Sequence, residues 1–126
     1  MRIQMRLSQE ARVILEEKKL HQLKLGITKT SGEVIDDIFK KFNTRLSKID
    51  WLIVKNNPKY DGILANYTMV NPTTLNLNES TITIIDEFRD FFNVELKMKR
   101  TVYRSFIIRI VLKAYKLEQE NYNIYK

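Results

Sequence analysis

The sequence predicts a mainly α protein with a two-stranded antiparallel β-ribbon, and three observations carry that expectation. Residues Met1–Ser8 alternate strictly, with Ile3, Met5 and Leu7 on one side and Arg2, Gln4 and Arg6 on the other. Successive side chains of an extended strand point to opposite faces, so this stretch reads as a half-buried strand. Thr74-Leu75-Asn76-Leu77-Asn78 alternates in the same way. Each alternating stretch is followed by two stretches of helical periodicity, so the order strand–helix–helix occurs twice, as in an internal duplication. A lone strand can neither satisfy its backbone nor bury one face, so each strand needs a partner, and the other is at hand.

Taken in order, Ser8 is a good N-cap with Glu10 in the first turn. Residues 9–25 then read as a helix with Ala11, Ile14, Leu15, Leu20, Leu23 and Leu25 as apolar positions, and Gly26 as its stop. Thr28 is placed as the next cap, with Lys29, Thr30 and Ser31 in the first turn. Val34, Ile35, Ile38, Phe39, Phe42, Leu46, Ile49 and Ile53 keep helical spacing, which predicts one long helix to Lys55, ended by Asn56-Asn57-Pro58. Pro58, Gly62 and Pro72 mark a linker, in which Ile63-Leu64 and Tyr67–Val70 suit a short strand or core packing. Beyond the second strand, Asn78 is a cap. Ile82, Ile84, Ile85, Phe88, Phe91 and Phe92 form a helix ending near Asn93. Lys97–Arg100 is a basic turn, and Phe106, Ile107, Ile110, Val111, Ala114 and Tyr115 form the last helix. The expected organisation is a first unit over 1–55, a linker over 56–72, a second unit over 73–117 and a frayed polar tail over 118–126.

Composition narrows the function. At 126 residues with a 44% apolar share, the chain has enough for a real core in one domain, or two very small ones sharing it. There is no cysteine, hence no disulfide framework or thiolate metal site. No apolar run approaches the roughly 20 residues that span a bilayer, and no signal-peptide core opens the chain, so a cytoplasmic protein without a membrane partner is expected. Three glycines and no Gly-rich phosphate loop argue against nucleotide chemistry. His21 is the only histidine, without a recognisable nucleophile or ligand set, so neither catalysis, cofactor nor metal is expected.

The net charge of +7 favours nucleic acid or an anionic surface as partner. It is unevenly spread: +4 over residues 1–30, −4 over 73–95 and +6 over 96–126. Arginine and glutamine on the outer face of the first strand are residue types that reach base edges in a DNA major groove.

The strand Ile3-Gln4-Met5-Arg6-Leu7-Ser8 running straight into a helix, the turn Gly26-Ile27-Thr28-Lys29-Thr30 and the amphipathic second helix together resemble the ribbon-helix-helix family, the Arc and methionine-repressor type of DNA-binding protein. The resemblance covers residues 1–42 and 73–117. The second copy lacks the glycine turn, and the start of its last helix lies at Arg100-Thr101 or at Arg104-Ser105.

The resemblance implies two tandem copies forming a single-chain pseudo-dimer that binds double-stranded DNA sequence-specifically, with a higher assembly on DNA open to it. Arg2, Gln4, Arg6, Thr74 and Asn76 would contact bases. Lys29, Thr30 and Ser31, with Arg100, Thr101, Arg104 and Ser105, would hold phosphates at the starts of the second helices. Because the strands differ, a non-palindromic site is expected, with the arginine-bearing strand dominating specificity. The implied role is a transcriptional repressor or regulator. The alternative is a plasmid-transfer accessory protein that binds near a transfer origin and assists a relaxase through the long helix and linker. From another class, a small helical adaptor would use the basic face to bind an acidic protein.

Overall fold

The computed structural model describes residues 1–58, 72–95 and 102–126. The fold is mainly helical with one two-stranded antiparallel sheet. Strand β1 (Arg2–Met5) leads into α1 (Gln9–Lys24) and α2 (Ser31–Phe42). A 3-10 turn over Asn43–Arg45 and a short α3 (Trp51–Asn56) follow. Strand β2 (Thr73–Asn76) then leads into α4 (Glu79–Glu95) and α5 (Arg104–Gln119).

The two strands pair with each other, Arg2 opposite Asn76, Ile3 opposite Leu75, Gln4 opposite Thr74 and Met5 opposite Thr73. The ladder continues one step further, where Leu77 N–H donates to Met1 O (2.9 Å) and the Met1 amine donates to Leu77 O (2.6 Å). Hydrogen-bonded and non-hydrogen-bonded pairs alternate in such a ladder. Arg2·Asn76 and Gln4·Thr74 are therefore the non-hydrogen-bonded pairs, whose side chains stand closest. Leu75 and Leu77 are buried beneath, with Ile3 and Met5 packed against the core.

The helix ends follow their local chemistry. Ser8 caps α1, its side chain accepting from Ala11 N–H (3.1 Å). Gly26 ends it with φ of +80°, while Gly26 N–H donates to Leu23 O and Ile27 N–H to Gln22 O, a Schellman pair. The cap of α2 is Thr30, two residues later than Thr28. Its hydroxyl accepts from Glu33 N–H, and the Glu33 carboxylate accepts from Thr30 N–H, a full capping box. This places Lys29 outside the helix.

The long second helix does not form. It stops at Phe42, and Asp50 caps a separate helix by accepting from Ile53 N–H. The apolar period runs on because both pieces bury a face in the same core, with Ile49, Trp51 and Val54 all buried. Asn43, Thr44 and Ser47 are poor helix formers, and Asp50 offers a new cap. The expected linker lies, over residues 59–71, outside the described residues, as does the strand suggested for Ile63-Leu64 and Tyr67–Val70.

The tail is also not frayed. Asn121, at φ of 69°, closes α5 in the manner of Gly26, with Asn121 N–H on Glu118 O and Tyr122 N–H on Leu117 O. The chain then turns back. Asp50 N–H donates to Ile124 O and Lys126 N–H to Lys48 O, while Ile124 is fully buried. Tyr125 donates its hydroxyl to Glu118, which Arg45 and Lys41 also approach (3.3 Å each).

The core is a single cluster centred on aromatics. Trp51 lies 5.1 Å from Phe92 and 5.9 Å from Phe88 between ring centroids, and Phe39 lies 5.7 Å from Phe88. Helices α2 and α5 pack on each other, and α1 and α4 each pack on both of them. Lys113, buried on α5, donates to the carbonyls of Lys55 (3.4 Å) and Asn57 (2.7 Å), closing the end of α3.

Two substitutions test this packing. A Cβ on Gly32 would lie 2.2 Å from the Asn76 carbonyl oxygen, so the start of α2 and β2 touch backbone to backbone. Gly32→Ala should lower stability by about 1–3 kcal/mol, read as a reduced urea midpoint. Ile124→Ala, removing a buried side chain from the tail, should lower stability by about 2–5 kcal/mol, whereas a frayed tail would leave the midpoint unchanged.

Candidate nucleic-acid interface

Alternation along two short strands decides what faces outward. Arg2, Gln4, Thr74 and Asn76 all lie exposed on one face of the ribbon, and Arg6 is exposed just beyond β1. Gln4 donates its side-chain N–H to the Thr74 hydroxyl across the pair (3.2 Å). That bond orients the Gln4 amide. Arg2 sits beside Asn76 at one end, and Arg6 lies two residues past Gln4 towards the other. The arginines therefore bracket a central Gln4·Thr74 pair.

The starts of the second helices lie beside the ribbon, each against the strand of the opposite half. The Gly32–Asn76 contact brings the start of α2 to β2. The start of α5 faces β1 across a recess of 390 Å³ lined by Ile3, Gln4 and Met5 on one side and Arg89, Val102, Tyr103, Arg104 and Ser105 on the other. The junctions are locked reciprocally. Asp36 on α2 accepts from Asn78 N–H (3.1 Å) before α4, and Arg109 on α5 bridges buried Glu10 (3.5 Å) at the start of α1.

The expected phosphate-holding residues are placed unequally. Thr30 and Ser31 stand at the start of α2, where the capping box occupies the Glu33 N–H and leaves that of Ser31 uncapped, while Gly32 is buried against β2. Ser31 accepts from the Lys19 ammonium (3.3 Å). Lys29 folds back onto Asp37 (2.8 Å), and its pKa is raised by that hydrogen bond and charge. The last helix starts at Arg104, which resolves the open register towards Arg104-Ser105. Its N-cap, Tyr103, makes no side-chain capping bond. Arg100 and Thr101 lie outside the described residues.

Arg104 is not a free cation. Its guanidinium donates two hydrogen bonds to Asp86, both 3.0 Å. The hydrogen bond from Arg104 holds the Asp86 carboxyl below its ordinary value, outweighing partial burial, and the charges of Arg104 and Arg89 add to it. Of the three helix-start cations named from sequence, Lys29 and Arg104 are thus neutralised within the chain, and Arg100 lies outside the described residues. Nothing in the sequence signals either pairing, since the partners meet only after the helices pack. Sequence reasoning also missed Arg12, exposed on α1 in a groove that includes Leu7, Ser31 and Thr73.

No known protein family, curated protein or solved structure matches this chain. Among the described residues, no group of His, Asp and Glu is arranged to hold a metal ion, and no helix is long and apolar enough to cross a membrane.

The ion pairs carry a pH dependence. Glu118 is also held low: burial pushes its pKa up, but the hydrogen bonds from Tyr125 and Lys41 and the nearby Lys41 and Arg45 charges outweigh it. A carboxylate whose pKa is depressed by folding contributes stability above its ordinary value, and that contribution is lost as pH falls through the lowered one. Stability should therefore drop as pH falls below about 4.5, the ordinary Glu value, and further below about 3.8, the ordinary Asp value. Asp86→Asn should flatten that acid limb in thermal melts, and an unchanged limb would show that the pair contributes nothing.

Proposed function

We propose that this chain is a tandem ribbon-helix-helix pseudo-dimer that binds double-stranded DNA sequence-specifically, laying its β1–β2 ribbon in the major groove. The observation that carries this reading is the register. It gathers Arg2, Gln4, Thr74 and Asn76 on one exposed face, with Arg6 continuing the row. A major groove about 12 Å wide admits a two-stranded ribbon. Arginine pairs bidentately with guanine, and glutamine or asparagine with adenine. The starts of α2 and α5, beside the ribbon, offer uncapped N–H groups and positive dipole ends to flanking phosphates.

The reaction implied is binding alone, without catalysis or cofactor, and one chain suffices for a complete reading head. Repression of transcription is the role carried forward, because a protein seated in a promoter blocks it with no further surface. The transfer-accessory role takes the long second helix and the linker as the docking surface for a relaxase; that helix ends at Phe42, and residues 59–71 of the linker lie outside the described residues.

The test is a selection from random duplexes with the purified protein, followed by salt-dependent titrations. Arg2→Ala or Gln4→Ala should weaken the selected site by about 1–3 kcal/mol and relax preference at one position. Ser105→Glu should weaken all duplexes alike, because it places a negative charge at a phosphate-holding helix start. Asp86→Asn, which frees the Arg104 guanidinium, should steepen the salt slope by about one. Absence of salt-dependent duplex binding would leave the adaptor reading in front.

A further inference from the structure

The two flanks of the molecule differ in chemistry. The last turn of α1 and the turn after it expose Leu20, Leu23, Leu25 and Ile27 to 53, 58, 66 and 43%. Single exposed apolar side chains are ordinary, but these four fall within one short stretch. Residues 18–29 also carry Lys18, Lys19, Lys24 and Lys29 and no acidic residue. Lys29 is neutralised by Asp37 and Lys19 by Glu16, while Lys24 is exposed.

Helix α4 offers the complement. Thr83, Glu87, Asp90 and Val94 recur at spacings of three or four residues, so they form one stripe, and all four are exposed. Val94 is 71% exposed, and no ion pair within the chain engages Glu87 or Asp90 among the described residues. Since β1 and β2 run antiparallel, α1 leaves one end of the ribbon and α4 the other, and both pack on the α2–α5 pair.

We propose that the α1 end of one copy docks on the α4 stripe of a second copy of this chain. Charge selects this pairing over the symmetric ones. Two α1 ends would bring Lys24 against Lys24, and two α4 stripes would bring carboxylates against carboxylates. Joining unlike patches is a head-to-tail contact, which repeats from copy to copy instead of closing on a dimer. The residues it uses are distinct from Arg2, Gln4, Arg6, Thr74 and Asn76 on the outer face of the ribbon.

Sedimentation of the full chain without DNA tests it. The native protein should form concentration-dependent oligomers that loosen with salt. Leu23→Asp, which spoils the α1 end, and the double change Glu87→Lys with Asp90→Lys, which spoils the stripe, should each be monomeric. Their mixture should form a complex of one copy of each, because one good face survives on either variant. All three positions are exposed, so unchanged helical circular dichroism is the folding control, and Leu25→Ser should weaken association without adding charge. A native chain that stays monomeric at its highest soluble concentration, a Leu23→Asp variant that associates like the native chain, or a mixture that stays monomeric overturns the proposal.

Discussion

Pairing β1 with β2 joins side chains 70 positions apart, as in the Gln4–Thr74 bond, and the helices of both halves pack beneath that closure. A two-stranded ribbon alone is marginal in water. It holds here because Leu7, Leu75 and Leu77 are buried under it and because helices from both halves form the floor. Loop-closure entropy grows only slowly with length, so the long separation weakens the pairing little. The stabilisation comes from the floor.

That floor interlocks the halves. The start of α2 sits against β2 and the start of α5 against β1. Asp36 fixes the junction before α4, while Arg109 reaches the first turn of α1. The second helix of the first half touches the strand of the second, and the start of α5 shares a recess with β1. One consequence is that Gly32, unremarkable in sequence, becomes a close backbone approach in the ribbon's support. Another is that the aromatic cluster of Phe39, Trp51, Phe88 and Phe92 draws on both halves and belongs to neither.

Much of this was legible because it is local. The alternation in Met1–Ser8 and in Thr74–Asn78 marked both strands, Ser8 marked a cap and Gly26 a stop, and each is governed by residues within a turn of itself. The long helix was misread because periodicity reports which residues are buried and is blind to a break between two helices facing one core. Asp50 followed by Trp51, Leu52 and Ile53 was the available sign of a new start. The tail was misread because its composition is polar, and one residue, Ile124, holds it down. The charges at the helix starts were legible as residue types only. That Arg104 meets Asp86 and Lys29 meets Asp37 depends on how helices and turns approach.

The register also changes how the ribbon would read a duplex under the proposed function. From sequence, the two arginines appear as one half of an asymmetric head, with Thr74 and Asn76 as a weaker half. In the paired ribbon the arginines stand at opposite ends, four residues apart, with Gln4·Thr74 between them and Asn76 beside Arg2. At about 3.3 Å per residue, Arg2 and Arg6 are separated by roughly 13 Å along the strand, close to four base-pair steps of about 3.4 Å. Two guanine-seeking groups would then bracket a centre governed by an amide that Thr74 already orients.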